Sequence, residues 1–540
     1  MASRRDELNA YTFARRRTVG AFLRPAGGGN DEDAPRPVRS VVPSLVMAAV
    51  VVAGFGLWGM IKPAAPKGWD DGTSIVVGKD STTRYVVLAD PSSPKDKTLY
   101  PVLNMASAKL VLDADSKVTF VEDKVLDKYA RHGATIGIPY APDKLPSAAE
   151  AERAKVWTVC DRPGDDADHR TVNQAIFVLA GSQAAALHNP GLRLSRGDAL
   201  YVRAPGSATE GGEEYLVDAA GVKHSLGRLD PGDSVASSLR AGLFGTQSAA
   251  QRVTRQWLDS LADGKAITFP AMRFGGNSSV GLADPANRKV GRLMSFDSNS
   301  DGKPDSFYTV GSDRLYRLDD FQLQLFQSNP AVQNLYGDRK PTPGQLSAEE
   351  HAQYSGPVGA EHRLPLPGDW PTLRPNRAVN GADVEGSTRN VVCSTYEGMS
   401  EKNSLMRSVW ASSNYPAPVT NGSASAHVTP GTGLLYRAME GTATQSDAVS
   451  GSVFLLTETG LRYRVVANGD SAAKSSVLPS GTPSIDPAGQ AQAQAQQGND
   501  AQSRLGYKDV QPSLVPKAWS DLVPSGPNLD TKSALQPQTS

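Results

Sequence analysis

The chain has 540 residues, 56 basic and 56 acidic side chains, 39% hydrophobic residues, 51 glycines and 2 cysteines. That apolar share is typical of a globular chain and excludes both a disordered polymer and a many-pass membrane protein. Zero net charge excludes a globally basic nucleic-acid binder, and two cysteines exclude a disulfide-rich scaffold or a Cys-based zinc cluster.

The charge is unevenly placed. Residues 1–40 hold eight arginines (4, 5, 15, 16, 17, 24, 36, 39) against five acids, Asp6, Glu7, Asp31, Glu32 and Asp33. Apolar spacing at Leu8, Tyr11, Ala14, Thr18, Val19 and Phe22 predicts a short amphipathic helix flanked by Arg15–Arg17. Such a helix suits anionic lipid or a neighbouring membrane protein. The alternative is a plain topology signal ahead of a flexible Ala26–Pro37 stretch. Val41–Ile61 then runs 21 residues without a charge, a helix of about 31 Å against a bilayer core of about 30 Å. Pro43 falls in the first turn and Trp58 near the far interface. A cleaved signal peptide has a shorter leader and a shorter apolar run, so an uncleaved anchor is expected. Its basic flank places residues 1–40 in the cytoplasm and residues 62–540 outside.

The outer part alternates short apolar runs with Gly, Pro, Asn and Asp. Strands are predicted at Ser74–Gly78, Tyr85–Ala89, Trp157–Cys160, Ala175–Ala180, Ala199–Ala204, Val453–Thr457 and Tyr463–Ala467. Helical spacing marks Asn104–Leu112, Ser237–Phe244, Ala249–Leu261 and Phe321–Phe326. The fold class expected is α+β and β-rich: one N-terminal transmembrane helix, then an elongated extracytoplasmic region with a duplicated core and four hairpin–helix repeats.

The repeat is read from paired segments. YLVDAAGVKHSL at Tyr215–Leu226 matches FLLTETGLRYRV at Phe454–Val465, each a strand, a turn ending in Gly221 or Gly460, and a strand. LYVRA at Leu200 echoes LLYRA at Leu434, and TVC at Thr158 echoes VVC at Val391. A second hairpin pair begins at Arg84 and Phe307. Chance likeness of short hairpins is the competing account. The expected boundaries are a basic arm (1–40), the span (41–61), a first repeat (62–112), the core's first half (113–195), a second repeat (196–265), a third (266–335), the core's second half (336–425) and a fourth repeat (426–470). A Ser/Ala/Gln-rich linker (471–501) and a C-terminal segment (502–540) follow.

Cys160 and Cys393 occupy matching places in the two halves, on predicted strands, in an oxidising compartment. A disulfide is expected; two buried free thiols are the alternative. Asp297-Ser-Asn299-Ser-Asp301-Gly302-Lys303-Pro-Asp305 offers side-chain oxygens at positions 1, 3, 5 and 9, the Lys303 carbonyl at 7 and a turn glycine at 6. That donor set suits Ca²⁺, although Tyr308 stands where an EF-hand has its bidentate Glu. A plain Asx-rich turn is the other reading. Asp165, Asp166, Asp168 and His169 follow Pro163-Gly164 and read as a solvated loop. The seven histidines lack metalloprotease spacing, and neither a G-x-S-x-G elbow nor a G-x-x-x-x-G-K-[ST] phosphate loop occurs.

Several motifs resemble the EccB family of type VII secretion components. They are LYPVLNMASAKL (Leu99–Leu110), IGIPYAPDKLP (Ile136–Pro146), WTVC (Trp157–Cys160), LGYKDVQPSLVPKAWSDLVPSGPNL (Leu505–Leu529), YTFARRR at Tyr11 and WGMIKP at Trp58. The resemblance implies a bitopic membrane protein with a central core and four repeats, and a family disulfide carried by Cys160 and Cys393. It further implies a homo-oligomer assembled in membrane lipid with EccC, EccD, EccE and a mycosin protease, with no nucleic acid. Some members are described as ATPases, for which this sequence shows no Walker motif. The expected role is a structural subunit of a secretion channel. A peptidoglycan-binding scaffold and a weak extracytoplasmic ATPase that would use ATP are the alternatives.

Overall fold

A computed structural model describes residues 3–23, 38–61, 65–90, 93–164, 171–206, 211–228, 230, 232–246, 248–357, 362–375, 378–380, 389–400, 404–419, 426–440, 451–466 and 500–538. The predicted Ala26–Pro37 stretch, the Asp165–His169 cluster and residues 471–499 of the predicted linker lie outside them. The chain divides into two units: Met1–Trp69 with Gly78–Ser81 and Thr119–Tyr129, and the remainder.

The smaller unit contains the helices Arg4–Leu23 and Val38–Ile61. Leu8, Tyr11, Phe13, Val19 and Phe22 of the first are exposed. In the second, the side chains from Val41 to Phe55 are all exposed. Among the described residues no helix is long and apolar enough to cross a membrane.

The described strands form five sheets. Strands β1 (Ser74–Gly78), β2 (Arg84–Asp90) and β3 (Ser93–Val102) form an antiparallel meander, and β4 (Lys117–Val121) completes the order β3-β2-β1-β4. A hairpin of β5 (Val156–Pro163) and β6 (Val172–Leu179) follows. Next come β7 (Ala199–Arg203), β8 (Glu213–Asp218), β9 (Val222–Arg228), β10 (Gln251–Arg252) and β11 (Ala262–Asp263), in the order β10-β7-β8-β9-β11. The third sheet takes β12 (Leu293–Phe296), β13 (Ser306–Val310), β14 (Leu315–Leu318) and β15 (Gly344–Gln345) as β14-β13-β12-β15. Strands β16 (Val391–Met399), β17 (Leu405–Ser412) and β18 (His427–Val428) return to the earlier hairpin, giving a central sheet β17-β16-β5-β6-β18. The fourth sheet, β21-β20-β19-β22, uses β19 (Leu434–Met439), β20 (Val453–Leu456), β21 (Arg462–Val465) and β22 (Ser513–Pro516).

The four outer sheets share one plan. Each meander leads into a helix, then a strand beside the meander's first strand, then a second short helix. The helix pairs are Met105–Val111 and Asp123–Leu126, Ser234–Phe244 and Arg255–Asp259, Asp320–Ser328 and Ala348–Tyr354, and Asp500–Arg504 and Lys517–Ser520. Strands β10, β15 and β22 run parallel to β7, β12 and β19. The opposite edge is closed as well: His132 and Ile136 pair with β3, β11 with β9, Arg363 with β14, and Ser525 and Leu529 with β21, all parallel. Covering both edges with short segments blunts the unpaired N–H and C=O rows that drive edge-to-edge association. These closing pairs lie partly outside the boundaries 62–112, 266–335 and 426–470. They are too short to show hydrophobic alternation in a sequence.

Local chemistry explains where the elements turn. Gly221 and Gly460 close the β8–β9 and β20–β21 hairpins at φ of 75° and 76°, a region costly for residues with a Cβ. The helix predicted over Ala249–Leu261 is instead β10 followed by Arg255–Asp259. Thr254 sets the break, because its hydroxyl caps the Trp257 N–H at 3.1 Å while the preceding residues pair with β7. Residues 500–501, read as the end of the linker, open the helix Asp500–Arg504.

The cores tie these sheets together. Ala106 and Leu110 of the first outer module share a cluster with Leu435, Leu455, Tyr463, Leu505 and Leu529 of the fourth. Leu239, Leu243 and Phe244 of the second share another with Phe321 and Leu325 of the third. The central sheet carries one core on each face, with Trp157, Val159, Val392 and Tyr396 on one and Cys160, Phe177, Cys393 and Trp410 on the other.

Candidate functional site

The middle of the five-stranded sheet β17-β16-β5-β6-β18 is the pairing of β5 with β16. Their register sets Trp157 opposite Tyr396, Thr158 opposite Thr395, Val159 opposite Ser394, Cys160 opposite Cys393 and Asp161 opposite Val392. Alternation sends Thr158, Cys160, Cys393 and Thr395 to one face. There the two cysteines form a disulfide with a Cα–Cα distance of 4.1 Å, spanning 233 residues of sequence. Two residues along, the Thr158 and Thr395 hydroxyls bond at 2.6 Å, and Trp410 Nε1 donates to Thr395 Oγ1 at 2.9 Å. The sequence places the cysteines correctly on strands; that the strands are adjacent is visible only here.

The outer edges of this sheet are exchanged between the two halves. After β6 the chain crosses to β17, where Leu194 N donates to Val409 O and Ala411 N to Leu192 O. After β17 it crosses to β6 and pairs His427 and Val428 with Phe177 and Val178. Each hairpin is therefore completed by a segment following the other.

Both ends of the β5–β16 pair reach an outer module. Tyr396 donates its hydroxyl to Leu514 O at 2.8 Å, and Trp157 packs edge-on against Tyr436 at 5.3 Å, joining the core to the fourth module. At the other end Asp161, fully buried, accepts from the Thr254 N–H at 2.6 Å, the Thr254 hydroxyl at 2.8 Å and Gln174 Nε2 at 3.1 Å. Burial pushes its carboxyl up to about 6, with the Thr254 and Gln174 donors pulling the other way. Asp161 thus holds, from the core, the threonine that caps the second module's helix.

The second module holds a buried ion pair that the sequence reading missed. Arg240 Nε donates to Glu214 Oε2 at 2.6 Å, and its other nitrogens donate to the carbonyls of Ala236, Leu226 and Gly227, each at 3.0 Å. Tyr201 donates its hydroxyl to the same Glu214 oxygen at 2.6 Å. Burial, then the bond to Glu214, push the Tyr201 phenol above its ordinary value. The available signal was an arginine set among Leu239, Leu243 and Phe244 on the apolar side of a helix.

The loop from Asp297 to Asp305 joins β12 to β13. Asp297 accepts from the N–H groups of Asp301 at 3.3 Å and Gly302 at 2.7 Å, and Asn299 from Asp301 at 3.1 Å. Asp301 accepts from Lys303 N at 2.8 Å, and Asp305 from Ser298 N at 2.7 Å. The Ser298 hydroxyl and amide hold Asp305 below the usual carboxylate range. The oxygen donors are of the type Ca²⁺ takes, but each carboxylate is turned onto a loop N–H. Among the described residues no group of three or more His, Cys, Asp or Glu side chains is arranged to hold a metal ion. A cleft of about 360 Å³ on the fourth module is lined by Glu440, Phe454, Arg462, Lys517 and Asp521. Its Arg462 and Lys517 are both held by Asp521, at 3.0 and 2.8 Å.

Comparison with known proteins agrees with this architecture over its full length. The family model for EccB, described as "Type VII secretion system ESX-1, transport TM domain B", matches residues 1–539. The chain is 33% identical over 159 residues to the ESX-5 secretion system ATPase EccB5 of Mycobacterium marinum, covering 29% of each protein. It is 26% identical over 462 residues to the ESX-3 secretion system ATPase EccB3 of Mycobacterium tuberculosis, covering 79% of this chain and 75% of that one. In fold it resembles a chain of an intact ESX-5 inner membrane complex, with TM-score 0.58 and 20% identity over 100% of this chain and 96% of that one. It also resembles the EccB3 dimer from the ESX-3 core complex, with TM-score 0.55 and 21% identity over 86% and 100%.

Proposed function

The chain belongs to the EccB family of type VII secretion components, and from that membership we propose that it is a structural, oligomerising subunit of an ESX inner membrane secretion complex. The observation that carries this reading is the match of both sequence family and fold across essentially the whole chain. Its architecture suits a scaffold: closed modules, a cross-linked central sheet and buried polar links from core to module. In this reading Val41–Ile61 is the single span, residues 1–40 face the cytoplasm with the Arg-flanked helix on lipid or a partner, and residues 62–540 lie outside as four repeats on a duplicated core. EccC, EccD, EccE and a mycosin protease are the proposed partners. Deleting the gene is expected to abolish export of the system's substrates; normal export overturns the proposal.

That the mycobacterial relatives are named as ATPases favours a second reading, ATP hydrolysis. Nucleotide turnover by a soluble fragment of residues 68–540 tests it, and absence of turnover removes it. The Asp297, Asn299, Asp301, Lys303 and Asp305 loop is proposed as a Ca²⁺ site on its donor types. Calorimetry with millimolar Ca²⁺ is expected to show binding heat, and its absence removes the site.

A further inference from the structure

The closure of the first module carries a further pairing. Its closing stretch, His132–Ile136, has a further free side, and that side is occupied by a segment from the far end of the sequence. Ile136 pairs antiparallel with Pro537. Gln538 N donates to Thr135 O at 2.8 Å, Gln538 Nε2 to Gly137 O at 2.7 Å, and Gly137 N to Gln536 O at 3.4 Å.

The fit is that of an added strand. Only the carbonyl of Gln536 and the amide of Gln538 are needed for the ladder, so the proline between them loses no bond, and it biases Gln536 to an extended backbone. Just before this strand, the short helix Thr531–Ala534, capped by Asp530 onto Ser533 N at 2.8 Å, is joined to the fourth module through Leu529, which pairs with Val465. Between Asp530 and Gln538, Ala534 is the one buried residue; Lys532, Leu535, Gln536 and Pro537 are exposed. A segment with one buried anchor and a few backbone bonds opens at far lower free energy than the fold as a whole.

We propose that Asp530–Gln538 is a releasable clasp seated on a strand-addition site, Thr135–Gly137 of the first module, and that in the assembled complex this site receives the same segment from a second copy of the chain. The proposal rests on the oligomeric reading above. The occupant is defined by the structure itself, because the segment already complements the edge. Every copy in an oligomer presents both halves of the contact, so exchange creates no new chemistry and is favoured by local concentration. Release without exchange would uncover the backbone groups of Thr135 and Gly137 that the segment now pairs.

Engineered cysteines test this in the full-length complex, since Cys160 and Cys393 are already bonded to each other. Thr135 and Gln538 are both partly exposed. The double variant T135C/Q538C, expressed alone, is expected to form the new disulfide on mild oxidation. Co-expression of T135C and Q538C on two differently tagged copies is expected to give a heterodimer band, carrying both tags, on a non-reducing gel. Cross-linking confined to a single chain in the double variant, with no two-tag band, overturns the exchange. Failure of the double variant to cross-link at all overturns the clasp. Recovery of the intact complex in either case leaves the secretion-subunit reading standing, so the two failures are distinguishable.

Discussion

Cys160 and Cys393 stand directly opposite one another on antiparallel β5 and β16, so the disulfide joins two strands that backbone hydrogen bonds already join. Its contribution is therefore to restrict the unfolded chain more than to create a native contact. Closing a loop of this length is worth at most about 5 kcal/mol in the chain-entropy model, and measured values are commonly about 2–4 kcal/mol. The C160A/C393A variant is expected to lose about that much in urea unfolding while keeping its native circular dichroism, because the ladder remains. Peptide mapping without reductant that finds both thiols alkylatable contradicts the bond.

Asp161 gives the fold a pH dependence of defined sign. Its folded value, about 6, lies above the roughly 3.9 of an unfolded aspartate, so the folded chain binds this proton more tightly. The stabilisation is full below about pH 4, declines as pH rises through 6, and is absent above, with an amplitude of about 3 kcal/mol. Carboxylates held low, such as Asp305, act in the opposite direction. The informative quantity is thus the difference between wild type and D161N in urea stability from pH 4.5 to 7.5. That difference is expected to shift in favour of D161N as pH rises; parallel curves contradict it.

Breaking the Glu214–Arg240 pair is expected to be severe. R240M leaves a buried carboxylate with only the Tyr201 hydroxyl, and losses of about 3–5 kcal/mol are usual for such cuts. The double variant E214L/R240M removes both charges and is expected to recover much of the loss. Chemical denaturation of the two variants side by side measures this, and equal losses contradict it.

Two glycines separate backbone conformation from crowding. Gly227 and Gly460 both sit at φ of 76°. A Cβ at Gly227 meets nothing within 4 Å, whereas one at Gly460 would lie 2.0 Å from the Ala426 carbonyl oxygen. G227A is expected to cost about 1–2 kcal/mol from conformation alone, and G460A clearly more. Equal thermal shifts would mean that the β20–β21 turn relaxes.

Local pattern carried much of the fold. Alternating apolar runs located β1, β2, β5, β6, β7, β20 and β21, and the turn glycines 221 and 460 located two hairpins, because these signals arise from neighbours in sequence. The motif series from Tyr11 to Leu529 pointed to the family, and the two cysteines to their bond. Tertiary structure alone decided the rest. It paired β5 with β16 across more than two hundred residues, exchanged the sheet edges between the halves and joined the first module to the fourth. It also placed Asp161 beneath Thr254 and Arg240 beside Glu214. Two-residue strands carry no periodicity, and a buried charge looks in sequence like any surface charge. Only packing assigns each a partner.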